Sequence, residues 1–294
     1  MWKLNKKIRL LEYKFKKNLW ADLLWLYKTN FKWQWMEFAE LREYAYWDPI
    51  KHVDWKTTAR TWKMQTRIYE EERDLNVLFL LDISDNMEFT SAKKTKKDIS
   101  QEVFYSLAYS AIANNDNIWS LFYDDKWFLE FLNFKKWVSQ IYKIIEKWDE
   151  NTKINNKNKK SNYTLDAFKK ISDLKLKRNL IFVLTTDTSI KNSNILRLVW
   201  EENEIIYINI FDYFENNLEI PWIDLKNIEL NLWINNSILD IDLTNKTKIL
   251  EYKQIRNKKI WDYKIFLEKN KVSYLKIDNI DNSYNKLLEF FSRR

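Results

Sequence analysis

The chain of 294 residues contains no cysteine, no glycine, two prolines and a single histidine. Without cysteine it can form no disulfide, thiol nucleophile or thiolate metal site, which fits a cytoplasmic protein. His52 would have to serve any Ser-His-Asp triad, but it follows Lys51 in an irregular segment away from the predicted strand ends, so a structural or surface role is expected. No apolar run approaches the ~18 residues of a membrane-spanning helix, and the amino terminus has no signal-peptide core.

The absence of glycine is unusual, because average usage of about 7% predicts roughly 20 glycines in a chain of this length. The sequence contains 16 tryptophans instead. One hypothesis explains both counts: the gene comes from a bacterium that reads UGA as glycine, and most tryptophans stand where the cell inserts glycine. Trp47 enters a predicted tight turn, Trp127 and Trp233 are predicted at hairpin turns, and Trp119 and Trp148 at element boundaries. The alternative is a genuinely tryptophan-rich protein.

The charge pattern limits the classes of function. A net charge of +8 permits an acidic partner, but most basic residues are interspersed with acidic ones. Lysine-rich patches at 93–97 and 153–160 are more typical of solvated loops than of a nucleic-acid site. Restoring glycine at every tryptophan creates no G-x-x-x-x-G-K-[ST] loop, so nucleotide hydrolysis by this chain is not expected.

Apolar runs alternate with helical patterns after residue 74. Runs of buried-strand type occupy 76–83, 179–187, 204–212 and 272–277, and 119–132 is predicted to form a hairpin. Helices are predicted at about 91–114, 134–148, 164–174 and 190–200, then in a long segment ending near 270 and at the carboxyl terminus. This order predicts an α/β fold with a mostly parallel, Rossmann-like sheet flanked by helices.

The alternation of strands and helices begins only after residue 74, so the sequence predicts two regions. Residues 1–74 are predicted to contain a basic helix at about 5–28 and then an irregular, aromatic and charged segment. Residues 75–294 are predicted to form the α/β domain, with a β-rich insertion at about 216–248. The amino-terminal segment is expected to pack against that domain.

Polar side chains follow two of the predicted buried strands. The first strand ends in LLDISDNM, which places Asp82, Ser84 and Asn86 at alternate positions. The second ends in Thr185-Thr186-Asp187, and Thr164 begins a predicted helix between the two strands. Two carboxylates, two hydroxyls and an amide at one sheet edge are suitable ligands for Mg²⁺. The alternative is that these residues only cap helices.

This set resembles the metal-ion-dependent adhesion site of von Willebrand factor A domains. In that family an Asp-x-Ser-x-Ser loop, a threonine from a second loop and an aspartate from a third hold Mg²⁺. The resemblance implies that Asp82, Ser84, Thr164 and Asp187 are metal ligands. Asn86 stands where the family has serine, which leaves a degenerate site as the alternative.

The segment before the first strand resembles the signature of the family called domain of unknown function 58 (DUF 58). The stretch EFAELREYAYWDPIKHVDWKTTAR, starting at residue 37, matches at its charged and aromatic positions. Trp33, Trp35, Trp47 and Trp62 fall where that family has glycine, whereas Trp55 falls on its tryptophan. The matching residues expected to form a partner-docking surface or a structural brace are Glu37, Arg42, Tyr44, Asp48, Lys51, Asp54, Trp55 and Arg60. Later, FDYFENNLEIP resembles the family's Asp-Pro-x-Glu segment.

The resemblance implies a non-catalytic interaction protein. Its family accompanies MoxR-type AAA+ ATPases in bacteria, so this chain is expected to act as an adaptor for such an ATPase, through Mg²⁺ and a partner carboxylate. One alternative is a Mg²⁺-dependent hydrolase of phosphates, which would need a base or nucleophile beside the metal, with Asp85 as the one candidate. The other is a nucleic-acid-binding protein that uses the two lysine patches.

Overall fold

A six-stranded sheet lies at the centre of the structure. The structure is a computed structural model that describes residues 20–31, 38–69, 75–124, 129–135, 137–151, 163–188, 190, 194–218, 229–234, 237–242 and 245–294. The strands of the sheet are β3 (Asn76–Asp82), β4 (Asn117–Tyr123), β5 (Leu129–Lys135), β6 (Asn179–Thr185), β7 (Glu204–Phe211) and β10 (Ser273–Asp278). Their order is β10-β7-β6-β3-β4-β5, and every neighbouring pair is parallel except β4 and β5. The predicted mostly parallel α/β fold is confirmed.

Helices cover both faces of this sheet. One face packs against α1 (Trp20–Phe31), α3 (Lys96–Ala113), α4 (Val138–Asn151) and α9 (Ser283–Ser292). The other face packs against α5 (Tyr163–Asp173), α6 (Asn194–Glu202) and α8 (Lys246–Lys269). Along β3, Val77 and Phe79 enter the first core while Leu78 and Leu80 enter the second. A parallel strand buried on both faces needs such a continuous apolar run.

Helix α1 belongs to the core of the larger domain although it precedes residue 75. Leu23, Tyr27 and Phe31 are fully buried on the first face of the sheet. The Tyr27 hydroxyl donates to the Asp116 carboxylate at 3.0 Å, and the backbone N–H of Leu75 donates to the same group at 3.1 Å. Burial and the neighbouring Asp116 charge raise the pKa of Tyr27 well above its usual value. The first part of the predicted basic helix, residues 5–19, lies outside the described residues.

The signature segment forms a separate small sheet. Strand β1 (Phe38–Glu43) pairs antiparallel with β2 (Gln65–Tyr69), and a 3₁₀ turn at Ile50–His52 and helix α2 (Trp55–Thr61) lie between them. Neither core cluster of the larger domain includes a described residue from 38–69. The described part of this segment therefore adds no residue to either core cluster, and its packing against the larger domain stays a prediction.

The predicted insertion contains a hairpin of β8 (Glu229–Ile234) and β9 (Ser237–Asp242), after a short helix α7 (Tyr213–Asn217). Trp233 lies inside β8 opposite Ile238, so its placement at the hairpin tip was wrong. Trp119 lies within β4 and Trp148 within α4, and neither stands at the predicted element boundary. Trp127 lies outside the described residues. Within the described ranges, no helix combines the length and apolarity needed to cross a bilayer.

Trp62 has a backbone conformation that suits glycine. It ends α2 with φ 58° and ψ 13°, in the left-handed region, and its side chain is 93% exposed. A side chain with a Cβ atom costs roughly 1–2 kcal/mol in this region, whereas glycine adopts it freely.

We therefore expect Trp62→Gly to raise the free energy of unfolding by about 1 kcal/mol, measured by urea titration. Trp62→Ala retains the Cβ atom and is the matched control, for which little gain is expected. Equal gains for the two variants would show that removal of the indole, and not relief of the backbone, causes the effect.

Candidate functional site

The predicted site residues lie at the point where the direction of the sheet order reverses. Strand β3 lies between β4 and β6, and the chain passes first to β4 and only later returns to the other side of β3 as β6. Asp82 ends β3, and Asp187 follows β6 by two residues. In open α/β sheets, the crevice outside the carboxyl ends of the strands at such a reversal is the usual place for ligands.

Asp82 is the centre of the site. Its side chain is fully buried, and both carboxylate oxygens accept hydrogen bonds. Oδ1 accepts from the backbone N–H of Ser84 at 2.9 Å. Oδ2 accepts from the Thr185 hydroxyl at 2.7 Å and from the backbone N–H of Thr186 at 3.3 Å. These bonds hold the loop after β3 against the end of β6.

Thr164 and Asp187 meet beside Asp82. The Thr164 hydroxyl, at the start of α5, donates to Asp187 Oδ2 at 2.7 Å, and both residues are buried. The backbone N–H of Asp187 donates to the Thr185 hydroxyl oxygen at 3.0 Å, so this threonine joins the two carboxylates. The Asp187 carbonyl accepts from the Tyr207 hydroxyl and from the Asn209 amide of β7, at 2.8 and 3.1 Å.

The third position of the metal-binding pattern differs from the rest. Ser84 is buried beside Asp82, but Asn86 and Asp85 lie exposed on the 3₁₀ turn Asp85–Met87. The structure therefore brings together Asp82, Ser84, Thr164 and Asp187, and leaves Asn86 at the rim.

Burial raises the pKa of Asp82 above its usual value, and the hydrogen bonds from Ser84, Thr185 and Thr186 offset only part of that effect. The pKa of Tyr123, at the end of β4, is raised well above its usual value, first by burial and then by the Asp82 charge. Asp82 is thus a carboxylate whose ionised form the surrounding protein only partly stabilises. A cation at this edge of the sheet would add the positive charge that stabilises the ionised Asp82 carboxylate.

The donor set suits a hard cation that prefers oxygen. The four clustered side chains offer two carboxylates and two hydroxyls, which are ligands of the kind Mg²⁺ takes in proteins. No three His, Cys, Asp or Glu side chains come together in the part of the chain that the structure describes. Binding would therefore depend on the hydroxyls of Ser84 and Thr164 as well as on the two aspartates.

A second polar cluster ties the loop after the 3₁₀ turn to two other strand ends. The Asp212 carboxylate, fully buried after β7, accepts from the Ser91 backbone N–H and hydroxyl and from the Asn279 amide. The ammonium group of Lys96, also buried, donates to Glu215 at 2.7 Å. The FDYFE segment, whose family resemblance gave no role for its acidic residues, thus fixes the loop that carries Ser84.

The signature carboxylates brace the small sheet. Asp48 accepts from the Arg42 guanidinium at 2.7 Å and from the Ala45 backbone N–H at 2.9 Å, and the latter bond is the main reason that its pKa is lowered. Asp54 accepts from two backbone N–H groups in the first turn of α2 and so caps this helix. For these residues the structural interpretation of the signature has direct support.

The other signature residues have different surroundings. Trp55 is 61% exposed, Lys51 and Arg60 are exposed, and Tyr44 is half-buried. Glu37 lies outside the described residues. The exposed indole of Trp55 indicates that this residue is not needed for packing within the small sheet.

Three site residues were not predicted from the sequence. The Thr185 hydroxyl donates to the Asp82 carboxylate and accepts from the backbone N–H of Asp187. The Asn209 amide donates to the carbonyls of Thr185 and Asp187, and Tyr123 lies close enough to Asp82 for the carboxylate charge to raise its pKa. Thr185 could have been found, since it ends the same apolar run that precedes Asp187. Tyr123 and Asn209 belong to β4 and β7, and only the strand order places them beside the site.

Comparison with known proteins gives a family but no curated relative. The family described as "Protein of unknown function DUF58" matches residues 40–253. No curated protein matches the chain. The chain is similar to BatB from Bacteroides thetaiotaomicron (11% identity, 74% of this chain and 98% of that chain, TM-score 0.42) and to the SpRpn10 VWA domain (10%, 76% and 96%, TM-score 0.41). A further similar structure is an aerotolerance-related membrane protein from Bacteroides fragilis (10%, 75% and 100%, TM-score 0.39).

The raised pKa of Asp82 predicts how stability depends on pH. An unfolded aspartate titrates near ~3.9, so as pH rises from there to the higher folded pKa the unfolded state binds fewer protons than the folded state. The free energy of unfolding contributed by Asp82 therefore falls across this window. We therefore expect the free energy of unfolding of Asp82→Asn, measured with metal chelated, to rise relative to that of the wild type as pH increases from the unfolded to the folded pKa of Asp82.

Asp48→Asn is the control with the opposite sign. The pKa of Asp48 is lowered, so its contribution is present above the unfolded pKa and is lost as pH falls. This variant should lose stability relative to wild type at neutral pH and approach it in acid. Parallel pH profiles for the two variants would contradict the raised pKa assigned to Asp82.

Proposed function

Because the chain belongs to the family described as protein of unknown function DUF58, we propose that it is a non-catalytic interaction module that docks onto a MoxR-type AAA+ ATPase. The observation that supports this proposal is the convergence of Asp82, Ser84, Thr164 and Asp187 at the carboxyl edge of the sheet. These residues can hold a cation, and the buried hydroxyls of Thr164 and Thr185 donate to the two aspartates that would be its ligands. A cytoplasmic location stays a prediction.

A bound Mg²⁺ would supply positive charge to which a carboxylate of the partner can bind. Asp82, Ser84 and Thr164 would hold the ion, with Asp187 assisting. Thr185 and the backbone N–H groups of the two loops already fix the orientation of the Asp82 carboxylate. Preorganised ligands of this kind lower the cost of binding.

The signature segment offers a second contact for the same partner. Its carboxylates Asp48 and Asp54 are turned inward and hydrogen-bonded, while Lys56 and Arg60 of α2 are exposed beside Trp55. This face is therefore basic and aromatic, a composition that suits an acidic protein surface.

The two alternative functions receive less support. Asp85, the one candidate nucleophile or base for a hydrolase, lies exposed on the 3₁₀ turn. In the first lysine patch, Lys96 and Lys97 are buried and paired with Glu215, Glu88 and Asp149. These two lysines are not accessible to a phosphate backbone, and the second patch lies outside the described residues.

Reading of UGA as glycine remains part of the proposal for selected positions. Trp62 has a left-handed backbone, as expected where glycine is the cellular residue. Trp47 lies 81% exposed in a turn but has no positive φ, so its backbone does not require glycine. The greater stability expected of Trp62→Gly is a consequence of this hypothesis. Trp148 differs, since it is fully buried and its ring contacts Phe104 and Phe122.

Titration calorimetry with Mg²⁺ tests the metal site. We expect binding by the wild type that both Asp82→Ala and Asp187→Ala abolish. Asn86→Ser restores the family's hydroxyl and should tighten binding by about tenfold, because it adds a ligand of the expected type. Asp85→Ala is the matched control on the same turn. No heat from the wild type or from Asn86→Ser would mean that the site is degenerate.

A binding assay with a MoxR-type ATPase tests the docking. We expect an affinity that falls on chelation of Mg²⁺ and in Asp82→Ala, because the partner carboxylate loses its cation. Trp55→Ala should weaken binding without affecting Mg²⁺ affinity. Unchanged ATPase affinity in all three conditions would contradict docking through both surfaces.

A further inference from the structure

Strand β7 holds the backbone that follows β6 beside the candidate metal site. The Asp187 carbonyl accepts from the Tyr207 hydroxyl at 2.8 Å and from the Asn209 side-chain amide at 3.1 Å. The same amide donates to the Thr185 carbonyl at 3.2 Å. Tyr207 and Asn209 are both buried. Strand β7 therefore contributes three side-chain hydrogen bonds to the loop that carries a predicted metal ligand.

Asn209 interrupts the apolar and aromatic run at 205–211 of β7. Both groups that its side-chain amide contacts are carbonyls, which only accept hydrogen bonds, so the amide nitrogen must face them. A buried amide in a core strand is unfavourable unless it is hydrogen-bonded. The position of Asn209 is thus explained by the loop after β6 and not by the packing of β7.

Asn209 also connects to the carboxylate at the centre of the site. In the strand register Asn209 of β7 is opposite Thr185 of β6, and β3 is the next strand. The Thr185 hydroxyl donates to the Asp82 carboxylate at 2.7 Å. Thr185 is therefore held at its carbonyl by Asn209 and at its hydroxyl by Asp82. A change in β7 would reach Asp82 through this threonine as well as reaching Asp187 directly.

These hydrogen bonds hold Asp187 at its backbone as well as at its side chain. Its N–H donates to the Thr185 hydroxyl oxygen at 3.0 Å, and its Oδ2 accepts from the Thr164 hydroxyl at 2.7 Å. Because β7 holds the carbonyl too, the position of Asp187 relative to Asp82 is fixed. Hydrogen bonds from outside the ligand set orient the ligands of a metal ion in this way.

A fixed ligand position matters more for Mg²⁺ than for Ca²⁺. Mg²⁺ needs near-octahedral ligands at about 2.0–2.1 Å, whereas Ca²⁺ accepts variable geometry at about 2.3–2.6 Å. A loop held in one position suits the smaller ion, and a loop that can move suits the larger one. Loosening the loop that carries Asp187 should therefore weaken Mg²⁺ binding more than Ca²⁺ binding.

We propose that Tyr207 and Asn209 are positioning residues that give the candidate site a preference for Mg²⁺ over Ca²⁺. They act on the ion through Asp187 and Thr185 and do not bind it themselves. The inference rests on the proposed metal site and adds to it the residues that set its ion selectivity.

Titration calorimetry with Mg²⁺ and with Ca²⁺ tests the selectivity. Tyr207→Phe removes the hydroxyl but retains the ring that packs against Tyr263, with 5.6 Å between the ring centroids. Asn209→Leu removes the amide at similar side-chain volume. Each variant should bind Mg²⁺ about tenfold more weakly or worse, as is typical when a partner of a metal ligand is lost, and should lose less affinity for Ca²⁺.

Tyr274→Phe is the matched control. Tyr274 lies opposite Tyr207 in the register of β10 and β7, and its buried hydroxyl has no hydrogen-bond partner among the described residues. This variant also removes one buried hydroxyl from a tyrosine of the same sheet, but it leaves the Asp187 loop intact. It should bind both ions as the wild type does.

Hydrogen exchange of the metal-free protein tests the positioning without a cation. The Asp187 amide should exchange faster in Tyr207→Phe and Asn209→Leu than in the wild type and Tyr274→Phe, because the loop after β6 opens more often. Unchanged exchange in both variants would overturn the proposal, since β7 would then not hold the loop.

The calorimetric outcomes separate this inference from the proposed metal site. Equal losses of affinity for the two ions would overturn the inference, because general damage to the site would explain them. If the wild type binds both ions without preferring Mg²⁺, or if the variants keep its selectivity, only this inference fails. If the wild type binds neither ion, the proposed metal site fails and the inference fails with it.

Discussion

The hydrogen bond between the Thr185 hydroxyl and the Asp82 carboxylate joins the two central strands at their carboxyl ends, and the candidate site depends on it. A buried carboxylate costs several kcal/mol unless donors surround it. Here the donors come from the Ser84 and Thr186 backbones as well as from Thr185. Removing any one of them would leave part of a buried charge unpaired, which constrains both loops to a single arrangement.

A second buried aspartate connects strand ends in the same way, one strand further along the sheet. Asp212, after β7, accepts hydrogen bonds from Ser91 in the loop after β3 and from Asn279 after β10. Two buried aspartates therefore connect four strand ends, and apolar packing fixes the strands beneath them. The result is a rigid edge whose rim residues, Asp85 and Asn86, remain exposed. Rigidity of this kind favours selective recognition of a partner at low entropic cost.

The sequence predicted the fold better than it predicted the site. Parallel strands that are buried on both faces are continuous apolar runs, so β3, β6 and β7 could be predicted from the sequence alone. Asp82 and Asp187 were visible because strand ends in such sheets share one edge. Tyr123 and Asn209 could not be found, since their positions depend on strand order and register, which no local pattern encodes. The tryptophan assignments failed at Trp119, Trp148 and Trp233, because their neighbouring residues resemble turns but the regular elements continue through them.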